Sequence, residues 1–288
     1  MTASLSAAAV QAYERDGCYF PLRVMPADRM AGRYDRMQAF AAAHPGEARR
    51  AFGAKCHLLF PWLYDVVADD TILDAVESVI GPNILCWSSG FFNKDAHDPA
   101  IVSWHQDSTY WGLDPMDIIT AWIAFTPSTA DSGCMRVIPG THTIGQLRHE
   151  DTFAENNLLS RGQRIVDDLD LSKAVDIELQ PGEMSLHHVR IVHGSGPNRT
   201  DVPRFGLTVR YIPTHVSQHG GRTTATLVRG VDDHGHFDPE PRPTADYDEA
   251  ALAFHADAIE RVERILYESA AETGRRTTDP TTAPPPAA

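Results

Sequence analysis

A chain of 288 residues with 42% hydrophobic and 22% charged side chains can bury the core of one large domain or two small ones. Its 39 acidic residues outnumber 25 basic ones for a formal charge of −14, and no Lys/Arg run interrupts that excess, so nucleic acid and anionic membrane surfaces are excluded as expected partners. Four cysteines without a Cys-x-x-Cys pair, no basic-then-apolar leader after Met1 and no apolar run of transmembrane length point to a soluble protein of the reducing cytoplasm.

In chain order, residues 4–16 read as a helix capped by Ser4 or Ser6 and stopped at Asp16-Gly17, feeding an apolar strand that starts at Cys18. Met30, Tyr34, Met37 and Phe40 recur at helical intervals through 28–43, and Ile72, Val76, Val79 and Ile80 do the same within 65–80 before Gly81-Pro82. From about residue 84 the pattern changes to short apolar runs between Pro, Gly, Asn and Asp, which predicts strands at 84–93, 101–107, 117–126, 134–138, 174–180, 183–193 and 204–213.

Helices followed by that many strands predict a mainly β fold with flanking helices, a double-sheet jelly roll or related barrel. The 204–213 strand alternates Phe205, Leu207, Val209 and Tyr211 with Arg204, Thr208 and Arg210, so one face is core and the other lines something polar. The nearly continuous apolar run from Ile118 to Phe125 predicts burial on both faces. The long polar segment 139–172 and the irregular segment 214–245 have the length of lids over a site. A last amphipathic helix is expected over 247–271, and residues 275–288 lack apolar periodicity, which predicts a disordered tail after one domain spanning 1–274.

The motif that concentrates chemistry is Trp104-His105-Gln106-Asp107. On a strand, alternate side chains share a face, so an imidazole and a carboxylate would project to one point, two thirds of the two-histidine, one-carboxylate set that holds non-haem iron. An isolated His-x-Asp is more often a surface or hydrogen-bonded pair than a metal site. His193, in His193-Gly194-Ser195-Gly196-Pro197-Asn198, stands at a strand end before a turn, where a histidine can face a barrel interior.

Taken with Asp16-Gly17, the stretch Gly133-Cys134-Met135-Arg136-Val137-Ile138-Pro139-Gly140-Thr141-His142 and Arg204-Phe205-Gly206, these motifs stand in an order and spacing that resembles the phytanoyl-CoA dioxygenase family of Fe(II)/2-oxoglutarate oxygenases across most of residues 10–270. The resemblance implies a double-stranded β-helix with iron held by His105, Asp107 and His193, and 2-oxoglutarate and dioxygen as cosubstrates. It also implies that Arg204, 11 residues beyond His193, grips the distal carboxylate of 2-oxoglutarate, which a planar guanidinium does through two parallel hydrogen bonds.

Ser195 and Thr120 match positions where relatives such as ectoine hydroxylase carry a serine near the cosubstrate; the alternative is that these hydroxyls bond the backbone. Trp111 either walls a substrate pocket or packs in the core, and Arg210 either meets an anionic substrate or pairs with an acid. His142, His187 and His188 are expected to be structural.

The implied activity is oxidative decarboxylation of 2-oxoglutarate to succinate and carbon dioxide, coupled to hydroxylation or a related oxidation of an unactivated C–H bond in a small molecule that is amino-acid-derived, osmolyte-like or a natural-product intermediate. Related halogenases carry a small residue in place of the carboxylate ligand, so Asp107 implies hydroxylation instead. Two other classes remain open at this point, a non-oxidative metal-dependent enzyme of cupin type and a catalytically silent binding protein on the same fold.

Overall fold

A computed structural model describes residues 4–109 and 111–268. The first helix, α1 (Ala7–Asp16), starts where the Ser6 hydroxyl accepts the Ala9 amide and stops at Gly17, whose φ of 75° closes the helix and turns the chain into β1 (Cys18–Arg23). After α2 (Ala27–Ala43) and the single turn α3 (Ala48–Ala51), the helix expected over 65–80 is divided into α4 (Pro61–Val67) and α5 (Asp70–Ile80). The cause is local: Asp69 turns extended and caps the Thr71 amide, and Pro61 opens the preceding helix one turn earlier than its apolar pattern suggests.

The strands that complete the two main sheets are β2 (Ile84–Lys94), β3 (Val102–His105), β4 (Ile119–Ala124), β5 (Met135–Ile138), β6 (Val175–Ile177), β7 (Glu183–His188), β8 (Val192–Ser195), β9 (Arg204–Pro213), β10 (Thr224–Arg229) and β11 (Asp238–Pro239). They form a seven-stranded sheet in the order β1-β7-β4-β9-β2-β10-β11 facing a four-stranded sheet in the order β3-β8-β5-β6. This is the double-stranded β-helix. Helices α1, α2, α4 and α5 cover the outer face of the larger sheet, burying Met30, Leu63, Ile72, Leu207, Val209 and Tyr211 in one cluster. The C-terminal helix α6 (Glu249–Glu268) buries Ala258 and Val262; its expected extension to 271 and the predicted tail lie outside the described residues.

Two strand boundaries differ from expectation in ways that build the site. The run 183–193 is not one strand: a tight turn closed by the Ile191 amide on the His188 carbonyl moves the chain from the large sheet (β7) to the small one (β8). The segment 214–245 is not wholly irregular, since it contains β10, whose Thr224 and Thr226 are 1% exposed and hide a strand behind polar residues.

Those threonines face a buried charge cluster. Lys55 Nζ donates to Glu240 Oε1 at 2.6 Å, to the Trp87 carbonyl at 2.6 Å and to the Thr224 carbonyl at 3.0 Å, while Glu240 also accepts from Thr224 and Thr226 and sits 3.1 Å from His57 Nε2. Burial pushes the Glu240 carboxyl up, but the Lys55 ammonium and the His57 and Lys55 hydrogen bonds outweigh it and hold it well below the ordinary range. This cluster ties the segment after α3 to the edge of the large sheet.

Removing one partner of such a pair strands the other charge, so Lys55→Met or Glu240→Gln should lower unfolding free energy by about 3–5 kcal/mol in denaturant titrations at pH 7. A carboxyl depressed in the folded state stabilises above its unfolded value of 4.5 and loses that contribution as pH falls below it. The wild-type midpoint should therefore drop steeply on acidification below that value, and Glu240→Gln should show a shallower drop.

Candidate metal centre

Residues directly opposite one another across neighbouring strands share a face, and the register of the large sheet arranges its inner face in successive rows. Arg204 lies opposite Lys94; Gly206 is flanked by Phe92 and Ala124; Thr208 is flanked by Gly90 and by Trp122, which faces Ser185; Arg210 is flanked by Ser88 and by Thr120, which faces His187. The expected polar face of the 204–213 strand is thus real, and the run from Ile118 to Phe125 is buried throughout. Gly206 is required here, because a Cβ would fall 1.9 Å from the Trp122 ring, which lies across it beneath the Arg204 guanidinium at 5.3 Å.

The small sheet closes over these rows with β3 and β8 paired so that His105 and His193 are directly opposite. Their rings lie 4.1 Å apart. His105 Nδ1 is bonded to the Ser103 and His193 carbonyls at 2.9 and 3.1 Å, and His193 Nδ1 to the Ile191 carbonyl at 3.0 Å. Each Nδ1 therefore carries the proton and each Nε2 presents a lone pair inward, the arrangement that fixes a metal-binding histidine.

Asp107 reaches the same point by a different route from the strand alternation expected. The strand ends at His105, and Asp107 opens a 3-10 turn (Asp107–Thr109) that brings its carboxylate back to 3.4 Å from His105 Nε2. The intervening Gln106 makes the strand end there. Its side chain, 0% exposed, donates to the Gly145 and Arg190 carbonyls and accepts from the Leu147 amide and the Gln146 side chain, and its own amide donates to His149 Nε2.

Ligand atoms of His105, Asp107 and His193 all lie within 4.8 Å of one another. Burial and the His105 ring push the His193 imidazole down to about 3 against the pull of Asp107, so it is neutral at pH 7. Burial raises the Asp107 carboxyl, but the adjoining His105 and His193 rings and the Arg210 guanidinium outweigh it and hold it well below the ordinary carboxylate range. Two imidazoles and one carboxylate on one side of the cleft are a donor set that fits a divalent iron.

The cleft also takes in most of the other residues singled out from sequence. Arg204 is 2% exposed, bonds the Gly133 carbonyl at 3.0 Å through Nη1 and leaves Nε without a partner among the described residues. Ser195 accepts from Lys94 Nζ at 2.7 Å. Thr120 is not beside Arg204; it sits rows away, between Arg210 and His187. Trp111 does not line the cleft and stands behind Arg210, its ring 5.3 Å from the guanidinium and 5.2 Å from Trp87.

Sequence reasoning passed over three residues. Lys94, 0% exposed, donates to Ser195 and to the Gly196 carbonyl, and burial followed by the Arg204 charge pushes its ammonium down to about 7. Its signal was a lysine continuing the apolar alternation one residue beyond the expected strand. Gln106 gave no signal other than its place between two chemical residues. His187, expected to be structural, lines the cleft 5.2 Å from His193, whereas His142 and His188 face each other outside it.

The family profile described as phytanoyl-CoA dioxygenase (PhyH) matches residues 13–206. The chain belongs to that family. A probable phytanoyl-CoA dioxygenase of Caenorhabditis elegans is 30% identical over 182 residues, 59% of this chain and 58% of that one. Peroxisomal phytanoyl-CoA dioxygenase of Homo sapiens is 32% identical over 145 residues, 49% of this chain and 43% of that one. The chain thus spans about half the length of the curated relatives it matches.

Among solved structures, the apo form of the non-heme monooxygenase ThoJ is 35% identical with a TM-score of 0.81, over 90% of this chain and 98% of that one. CytC3 with Fe(II) and alpha-ketoglutarate is 26% identical with a TM-score of 0.66, over 86% and 97%. The PhyH family is one of Fe(II)/2-oxoglutarate oxygenases, and the His-Asp-His cluster fits its iron.

The same geometry sets a direct binding test. His193→Ala and Asp107→Ala should each weaken Mn(II) binding, read by calorimetry, by more than the roughly 10- to 100-fold that loss of a supporting hydrogen bond costs a metal site. Near-wild-type affinity in either variant would remove that residue from the ligand set.

Proposed function

We propose that this PhyH-family protein is an Fe(II)- and 2-oxoglutarate-dependent dioxygenase of the cytoplasm that hydroxylates an unactivated C–H bond of a small molecule, its activity carried by one domain over residues 1–274. The observation that carries the reading is the placing of His105, Asp107 and His193 on one cleft with the paired cations Arg204 and Lys94 at one end of it. A cupin-type hydrolase or isomerase has no use for two buried cations at that end. Four buried free thiols support a reducing compartment, and among the described residues no helix is long and apolar enough to cross a membrane.

When bound, iron supplies the activation of dioxygen that couples decarboxylation of 2-oxoglutarate to oxidation of the substrate. The chain's own residues do the rest. His105 and His193 offer Nε2 donors whose direction is fixed by backbone carbonyls, and Asp107 offers the anionic donor. Arg204, propped on the Gly133 carbonyl and on Trp122, binds the distal carboxylate of 2-oxoglutarate, with the Ser195 hydroxyl and the remaining Lys94 N–H on the same carboxylate. Trp122, Phe92 and Met135 line the cleft and exclude water from it.

Asp107 supports hydroxylation over halogenation, because its carboxylate fills the position a halide would need. The fold does not choose among other oxidations, since neighbours of this architecture include a carbocyclase and an epimerase at 22% and 18% identity.

Anaerobic addition of Fe(II) and then 2-oxoglutarate should give a weak visible charge-transfer band, and a folded, metal-loaded protein without one would refute the oxygenase reading. Asp107→Ala should abolish hydroxylation in assays that follow succinate. Loss of one charge-assisted contact should raise the KM for 2-oxoglutarate about tenfold in Lys94→Met with a smaller effect on kcat; an unchanged KM would return Lys94 to a purely structural role.

A further inference from the structure

At the end of the cleft away from Arg204 and Lys94, one row of the large sheet holds polar groups that nothing among the described residues satisfies. Cys18, His187, Thr120, Arg210 and Ser88 stand directly opposite one another across β1, β7, β4, β9 and β2. Three of these project polar atoms that lack any hydrogen-bond partner among the described residues: His187 Nδ1, Thr120 Oγ1 and Arg210 Nε. His187 is 2% exposed and Thr120 1%, and all three residues line the cleft.

Arg210 is the centre of this row. Its Nη1 donates to Thr208 Oγ1 at 3.0 Å, its guanidinium lies 5.3 Å over the Trp111 ring and 6.0 Å over Phe92, and it makes no ion pair among the described residues. Asp107 is the acid whose charge it feels, without contact close enough to pair. A half-buried guanidinium with aromatic rings beside it, its Nε unpartnered and no ion pair among the described residues leaves a demand for an anion at the cleft. Beside it stands the Thr120 hydroxyl, and beyond that the His187 imidazole.

We infer that this row is the anchor for a carboxylate, or a comparable oxyanion, of the primary substrate, held by Arg210 and Thr120 with His187 at its side. The inference rests on the oxygenase reading above and adds the substrate class to it. Arg204 and Arg210 are six residues apart on one strand face, so the cosubstrate's distal carboxylate and the substrate's anion occupy different ends of the cleft, and the Arg210 row is the one beside the His-Asp-His cluster, with the His187 ring 5.2 Å from that of His193. Phe92 lies between the two ends and offers an apolar surface for the part of the substrate that is oxidised. The other carboxylate available in the cleft is the metal-proximal one of 2-oxoglutarate itself, and the experiment must separate the two.

The test uses the full chain loaded with Mn(II) and the unreactive 2-oxoglutarate analogue N-oxalylglycine, with matched probes: 3-phenylpropionate against 3-phenylpropionamide, and hexanoate against hexanamide. Mn(II)-enhanced relaxation of the probe protons reports binding close to the metal. Wild-type protein should prefer each carboxylate to its amide by roughly tenfold or more, the worth of a charge-assisted contact. Arg210→Met should reduce that preference to about twofold or less while leaving N-oxalylglycine affinity within about twofold, and the nearly isosteric Thr120→Val should lower the preference part-way without perturbing the fold.

Equal binding of acid and amide by the wild type, or failure of every carboxylate to bind, would overturn the inference while leaving the oxygenase reading intact. So would an Arg210→Met variant that loses N-oxalylglycine as strongly as it loses the probes, since the anion at Arg210 would then be the cosubstrate's. If the wild type takes up neither Mn(II) nor N-oxalylglycine, the oxygenase reading falls and this inference falls with it.

Discussion

The site depends on one cross-strand pair, His105 opposite His193, in the antiparallel ladder between β3 and β8. Because side chains alternate at every residue along a strand, a slip of either strand by one position would turn its imidazole away from the cleft and present Trp104 or Gly194 in its place. The pair also fixes its own chemistry. His105 Nδ1 bonds the carbonyl of His193 itself, so the same backbone that sets the register sets the tautomer. Gly194 permits the two strands to approach, since a Cβ there would meet the Val102 carbonyl at 2.9 Å.

Asp107 joins the pair only because the strand stops. Were β3 to continue, the carboxylate would lie a full two-residue step, about 6–7 Å, along the strand from His105; the 3-10 turn folds it back instead. Gln106 enforces that stop from the opposite side. It uses its side-chain amide on the carbonyls of Gly145 and Arg190 and its oxygen on the Leu147 amide, so the first turn of the long 139–172 segment and the turn between β7 and β8 are bonded to the residue between two ligands. Any motion of that segment is therefore coupled to the geometry at Asp107 through direct hydrogen bonds.

Most of the architecture was legible because hydrophobic periodicity carried it: α1, α2, the strands from 84 onward and the two-faced alternation of 204–213 all follow from the spacing of apolar residues. The residues of the His-Asp-His cluster were legible for another reason, since the His-x-Asp and His-Gly-Ser motifs stand in an order that resembles the PhyH family. What stayed hidden was polar and buried. β10 escaped because its inward threonines bond Glu240 instead of packing apolar, and Lys94 and His187 escaped because burial, which gives them their significance, is a property of the three-dimensional register. Asp107 was placed correctly by a mistaken geometric argument: the expected strand alternation reached the same cluster that the turn produces.

The interior cations show why burial and pairing must be read together. In a chain with 14 more acids than bases, acidic partners are abundant, and Lys55 and Arg161 are matched to Glu240 and Asp151 in the usual way. Lys94, Arg204 and Arg210 have no such match among the described residues, although Lys94 and Arg204 are buried, Arg210 is half-buried, and burial disfavours the charge of all three. Scattered at random, three unmatched cations would be costly accidents; instead all three stand on the inner rows of one sheet, two opposite each other at one end and one toward the other. Positive charge kept on one cleft in a protein of strongly negative net charge is the feature on which the proposed anion sites rest, and the His-Asp-His cluster stands beside the Arg210 row of that cleft.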